Sequence, residues 1–234
     1  MTRTVGVIGG MGPRAAVAFQ QMLLDATPAA DDDGHIHVIT DNNPQVPSRI
    51  RALIDGDGAD PAPELQRMAR CLEDAGADFL VMPCNTAHHY HSRIMEAVAI
   101  PLLDMVGIAA RSMHALPGSP ARIGLLASPA VRLTGLYEAP LAGCGLTAIH
   151  PEGADAQALL DVIRSVKAEG RSPEAEAAYA RLAGALASSC DALLVACTEL
   201  SMLAPPAPGI PIRDSLVLLA GEAVARAMGG PTGG

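Results

Sequence analysis

The sequence predicts an α/β fold made of two homologous halves, each a parallel sheet with covering helices. Two observations carry this. First, short apolar, β-branched runs alternate with segments of helical spacing along the chain, as in parallel sheets with crossover helices. Second, the pattern restarts midway. "TVGVIGG" (4–10) is echoed by "RIGLLAS" (122–128), "ADFLVMPCNTAH" (77–88) by "CDALLVACTELS" (190–201), and "IPLLDMV" (100–106) by "IPIRDSL" (210–216). The three pairs keep their order and lie 110 to 118 positions apart. That marks a duplication, not an array of short repeats. A chain of 234 residues suffices for one large domain or two of about 100 residues each.

The elements follow in order. "TVGVIGG" is a strand ended by glycines, and a helix begins at Pro13, a residue suited to the first helical turn. "HIHVITD" (35–41) is the next strand. "APELQRMARCLEDAGA" (62–77) has apolar residues at helical spacing and stops at Gly76. "DFLVMP" (78–83) is a buried strand, "HHYHSRIMEAVA" (88–99) a helix, and "IPLLD" (100–104) a further strand. The halves meet near 105–118, where "LPGSP" supplies a loop. The first half therefore takes in 1–105 plus a C-terminal helix, 215–234, that packs back on it. The second half takes in 106–214 and the helix after Asp104.

Composition narrows the function classes. The formal net charge of −9 argues against a nucleic-acid partner, which would need a basic face. No apolar run approaches the ~18 residues of a membrane span, and "MTRTVGVIGGMGP" lacks the three regions of a signal peptide. The chain reads as a soluble cytoplasmic protein. Five cysteines form no CxxC pair; in a reducing compartment they are free thiols. With no Trp and two Phe, the core is packed with aliphatic residues and Met.

Parallel sheets bind ligands at the carboxyl ends of their strands, where "DFLVMP" delivers Cys84 and "DALLVA" delivers Cys197. Halves related by a pseudo-two-fold axis would place the thiols on opposite sides of one cleft. Backbone N–H groups of the helix that follows each cysteine would favour the thiolate. A thiolate on one face of a carbon can remove its proton, and a thiol on the other face can return one. That exchange inverts a stereocentre. Cys71, Cys144 and Cys190 lack the repeated setting and read as packing residues.

"MPCNTAH" and "ACTEL", with "VIGGMGP" at the start and "NNPQVPSR" between, resemble the aspartate/glutamate racemase family over nearly the whole chain. The resemblance implies two Rossmann-like halves with an active site between them. It also implies a two-base mechanism on a free amino acid, frequent dimers (here a homodimer), and no metal or organic cofactor. It maps the catalytic pair onto Cys84 and Cys197. It assigns Asn85, Thr86, Thr198 and Glu199 to the substrate's α-carboxylate and amino group and to the thiols. Asn85 and Thr86 could equally serve as helix caps. Met11 would border the cleft.

By the same resemblance, Arg49 matches the arginine that aspartate-specific members use for a substrate carboxylate, a role suited to a fork of donors. Lys167 falls where the family places a lysine near the substrate, although an exposed helical lysine is the plain reading of its surroundings. Arg51 reads as a solvated loop residue. Two departures bear on the side-chain pocket. "PSRI" stands where similar proteins read "PDRT", so Ser48 and Ile50 replace an acid and a threonine. "ASPAV" (127–131) replaces "ATxGT", the departure running from Ser128 to Val131. Aspartate is the leading expected substrate, then glutamate, then a broader range.

Four rivals remain in view. "GMGPRA" (10–15) fits a dinucleotide fingerprint, but the second half's counterpart lacks the glycines. His88 and His91 have a helical spacing that could suit a metal, yet the sequence specifies no further ligands. A two-cysteine dicarboxylate isomerase of the maleate type, or a non-catalytic amino-acid-binding protein, would also use two halves around a cleft.

Overall fold

The computed structural model describes residues 2–229. The chain divides into two compact units. One comprises the described residues up to Met105 and those from Val217 onward; the other is Val106–Leu216.

In the first unit, β1 (Val5–Gly9) is buried along its whole length. It is the central strand of a parallel sheet ordered β2-β1-β3, with β2 at Val38–Asn42 and β3 at Phe79–Val81. A parallel strand covered on both faces needs such a continuous apolar run. Helix α1 (Pro13–Ala26) buries Ala15, Ala16, Phe19 and Leu23, and α2 (Ala62–Asp74) buries Leu65, Met68, Ala69 and Leu72. Both sets fall on one helical face.

Three expectations are corrected here. The second strand begins at Val38 rather than His35, because Asp32–Gly34 forms a 3-10 turn that His35 closes. The helix expected over 88–99 is a 3-10 turn, Thr86–Tyr90, followed by the short α3 (His91–Met95). The Glu73 carboxylate takes the N–H groups of Ala99 and Ile100 at 2.8 and 3.0 Å, and the residue before Pro101 is disfavoured in a helix. Finally, "IPLLD" is no strand; it makes one bridge, Leu80 to Leu102. Pro83 follows β3 where Ala196 continues the equivalent strand of the second unit, and proline has no N–H to give a ladder.

The chain leaves the first unit at the start of α4 (Met105–His114). The second sheet has four parallel strands in the order β5-β4-β6-β7. They are β4 (Arg122–Ala127), β5 (Thr147–Ile149), β6 (Ala192–Ala196) and β7 (Ile212–Asp214). The short helices α5 (Pro129–Leu133) and α6 (Glu138–Gly143) precede β5. The long α7 (Gly153–Glu169) and α8 (Pro173–Ala187) lie between β5 and β6. Helix α9 (Ser215–Ala227) returns to the first unit. There the Arg226 guanidinium lies over the Phe79 ring at 5.5 Å, and the Ala227 carbonyl accepts the Arg3 N–H at 2.8 Å.

The duplication extends to the joints. Asp78, before β3, takes the Thr4 N–H at 2.6 Å. Asp191, before β6, takes the N–H groups of Ala121 and Arg122, each at 2.8 Å. Among the described residues no helix is long and apolar enough to cross a membrane.

Candidate active site

In the first unit the site is built at the carboxyl ends of β1 and β3. Beyond β1 the chain turns at Gly10, whose φ is +92°; a Cβ there would lie 2.0 Å from the Asn43 carbonyl oxygen. Only glycine permits both. The turn brings Met11 into the core cluster that also holds Val46, Cys84, Ala87 and Tyr90. Cys84 stands three residues past β3 with 6% of its surface exposed, and Asn85 and His88 beside it are buried. Thr86 is half-buried. Asn85 stands at the N-cap of the 3-10 turn, but its side chain makes no capping bond there.

Arg49 is 9% exposed. Its guanidinium donates to the carbonyls of Pro47 at 2.9 Å, Met11 at 3.2 Å and Val46 at 3.4 Å, while Nε is buried without a partner. Among the described residues no carboxylate pairs with it. A charge held out of water on neutral acceptors alone is a costly arrangement that an anion would relieve. Arg51, by contrast, is exposed and paired with Asp57 at 3.0 Å.

In the second unit, β6 is followed directly by Cys197, also 6% exposed, with Thr198 and Glu199 buried after it. The Cys197 Sγ–H donates to Glu199 Oε2 at 3.3 Å. Burial pushes the Cys197 thiol well above its ordinary value, and the Glu199 negative charge pushes it further. The N–H groups of Glu199 and Leu200 act in the expected opposite direction but are outweighed. The expectation of a thiolate favoured by backbone N–H groups is therefore corrected at this residue: Cys197 rests as a thiol, because desolvation and a carboxylate exceed the local backbone field.

Ser128, at the end of β4, is buried at the N-cap of α5 and makes no side-chain capping bond. Lys167 is exposed in the last turn of α7, with no side-chain hydrogen bond or ion pair among the described residues. The structure does not join it to Cys197, Thr198 or Glu199 by any such contact. Cys71 is exposed, and Cys144 and Cys190 are partly buried.

Four further residues lie near the cysteines; the sequence reasoning met His88 only as one of a histidine pair close to Cys84, and passed over Ser201, Asp214 and Tyr179. His88 bonds the Cys84 carbonyl, and Ser201 lies close to that of Cys197. Asp214 accepts from Ser201 at 2.8 Å. Tyr179 of α8 is buried with Asp214 and Cys197 close enough to raise its phenol, after burial itself. The signal for His88 and Ser201 was present: each stands four residues after its cysteine.

The histidine pair of "HHYH" is occupied by backbone. His91 bonds the Leu102 carbonyl at 3.1 Å, and the His88 and His91 rings stack at 6.1 Å. Among the described residues no group of three or more His, Cys, Asp and Glu is placed to hold a metal ion.

The Asp/Glu/hydantoin racemase family model matches residues 8–223. A broad-specificity amino-acid racemase of Bacillus subtilis is 27% identical over 225 residues, covering 94% of this chain and 96% of its own. The solved aspartate racemase of Picrophilus torridus has a TM-score of 0.86 at 28% identity, covering 99% of this chain and 96% of its own. A glutamate racemase of Francisella tularensis, solved with D-glutamate, shares the fold: TM-score 0.61, 16% identity, 94% of this chain and 78% of its own.

Proposed function

The chain belongs to the Asp/Glu/hydantoin racemase family, a family whose relatives here are isomerases, and from that premise we propose that it is a cofactor-independent amino-acid racemase. Its substrate is aspartate or glutamate, or a broader set that includes them. It works as a soluble, cytoplasmic homodimer. The observation that carries the reading is the duplicated cysteine: in each unit a buried parallel strand is followed within three residues by a buried thiol.

In this reading Cys84 and Cys197 act on opposite faces of the Cα of one substrate. The Cys84 thiolate removes the Cα proton of one enantiomer, and the electron pair left on carbon delocalises into the α-carboxylate. Cys197, held as a thiol beside Glu199, donates its proton to the opposite face. The reverse reaction exchanges the roles. Donors aimed at the carboxylate stabilise the charge that develops there; Asn85, Thr86, Thr198 and Ser128 supply them. Glu199 also accepts from the substrate ammonium, Met11 walls the pocket and Lys167 approaches as the substrate binds. Arg49 binds the side-chain carboxylate, which relieves its unpaired burial. The relatives' names agree with this range, since one is a broad-specificity racemase and another an aspartate racemase.

The test is Cα deuterium exchange in D2O on both enantiomers of a panel of amino acids, read by mass spectrometry and chiral chromatography. The wild-type chain exchanges and racemises an acidic amino acid without added cofactor. Cys84→Ser and Cys197→Ser each lose racemisation, and each retains at most exchange of one enantiomer. Full racemisation by either single variant overturns the two-base mechanism. Binding without exchange in the wild type overturns the enzyme.

A further inference from the structure

His88 and Ser201 occupy the same register: each is the fourth residue after a strand-end cysteine, 84 to 88 and 197 to 201. Their partners also match. The His88 ring bonds the Cys84 carbonyl oxygen through Nδ1 at 2.9 Å, and the Met105 N–H donates to its Nε2 at 3.2 Å. Met105 follows Asp104 of "IPLLD". Ser201 Oγ–H donates to Asp214 of "IPIRD" at 2.8 Å, the same Oδ1 accepts the Leu216 N–H at 2.8 Å, and the Ser201 N–H holds the Cys197 carbonyl at 3.2 Å. Each cysteine is thus braced from its own carbonyl to the backbone just past the next aspartate. The first unit uses one imidazole where the second uses a main-chain N–H, a hydroxyl and a carboxylate.

The bonds fix the His88 tautomer. A ring nitrogen that accepts an N–H carries no proton of its own, so Nε2 is bare and Nδ1–H donates to Cys84. The Leu103 carbonyl, 3.4 Å from Nε2, is then a close neighbour rather than an acceptor. Burial holds the ring neutral, with His91 acting the same way and Asp104 and the Cys84 carbonyl acting against it.

We infer that His88 and Ser201 are positioning residues that fix the aim of one cysteine thiol each: the His88 ring braces the Cys84 carbonyl directly, and the Ser201 hydroxyl ties to Asp214 the turn whose main-chain N–H holds the Cys197 carbonyl. The chain leaves the first unit just after Met105 and returns just after Leu216, so each brace is anchored where the polypeptide passes between units. The consequence for turnover rests on the two-base reading above; the bracing itself does not. A thiol swung aside by an ångström loses rate and keeps affinity, because the substrate contacts lie elsewhere.

The experiment compares His88→Asn, His88→Ala and Ser201→Ala in the full chain, with two readouts. The first is alkylation of each thiol by iodoacetamide, resolved by peptide mass spectrometry. It is expected to shift several-fold at Cys84 alone in His88→Ala, and at Cys197 alone in Ser201→Ala. His88→Asn is expected to restore most of the Cys84 rate, since its amide can replace the Nδ1–H. The second is Cα exchange: His88→Ala loses about 10- to 100-fold in kcat at unchanged KM, and His88→Asn recovers part of it. Equal shifts at both thiols, or at neither, overturn the bracing. Thiol-selective shifts in a chain that exchanges no amino acid leave the bracing standing and overturn the enzymatic reading instead.

Discussion

Arg49 is a guanidinium held almost wholly out of solvent, with only carbonyl oxygens as partners. If it binds the substrate's side-chain carboxylate, Arg49→Ala lowers kcat/KM for aspartate by roughly 30-fold or more, and spares an uncharged amino acid. Arg49→Lys restores little, because one ammonium cannot reproduce the planar fork. Equal losses on both substrates would contradict the assignment. The burial could not be read in the sequence: the acceptors come from Val46 and Pro47 nearby but also from Met11, 38 residues away. The Glu199 contact was more legible, since it stands two residues from Cys197. Glu199→Gln removes a charge that raises the thiol and leaves burial, the larger cause, in place. The Cys197 ionisation therefore moves down while staying high. In the direction where Cys197 donates the proton, the alkaline limb of the kcat/KM profile shifts to lower pH. A limb that stays put in both directions would remove Glu199 from this role.

The strands show how the duplication is packed and where it broke. Gly6 in β1 and Gly124 in β4 occupy the same step of the repeat. A Cβ on Gly6 would lie 2.7 Å from Leu80 and 2.9 Å from the Ala77 methyl; on Gly124 it would meet Leu193 at 2.5 Å and the Cys190 thiol at 2.9 Å. Cys190 thus fills under a glycine the place that Ala77 fills in the first unit, a packing position. Ala77 has no flexible end to move aside, so Gly6→Ala is expected to destabilise by about 1–3 kcal/mol. Gly184 is the counterexample, an exposed residue inside α8 with open space around it. Gly184→Ala is expected to stabilise by about 0.5–1 kcal/mol. Urea unfolding of the three proteins reads both signs, and a neutral Gly6→Ala would refute the packing argument. β1, β4 and β6 were legible because burial on both faces demands an unbroken apolar run. The "IPLLD" segment carries the same apolar signal, yet pairs only once. Pairing depends on what its neighbour offers, and β3 stops before Met82 and Pro83.

The whole chain repeats a scaffold and varies what hangs on it, which is why the repeat was visible in the sequence and the differences between its copies were not. Those differences also set the pH range of stability. His88, neutral and buried, has its ionisation lowered, first by desolvation. In the unfolded chain a histidine takes up its proton near 6.5. Below that value the unfolded state gains a proton the native state refuses, so the contribution is present above ~6.5 and lost as pH falls. Cys197 is the mirror case. Its ionisation is raised by burial and Glu199, whereas an unfolded thiol ionises near 8.5. Its contribution is present below ~8.5 and lost as pH rises, with Cys190 and then Tyr179, both raised by burial, adding further up. The melting temperature should therefore hold a plateau between about pH 6.5 and 8.5. On either side stability falls by up to about 1.4 kcal/mol per pH unit for each proton of difference. His88→Asn flattens the acid side until the carboxylates of Asp60, Glu64 and Asp191, which the fold holds low, begin to protonate. Cys197→Ser flattens the first part of the alkaline side and leaves the acid side as it was. Thermal melts of the three proteins from pH 5 to 10 decide it: an acid slope unchanged by His88→Asn would mean that the ring is not the group that unfolding protonates.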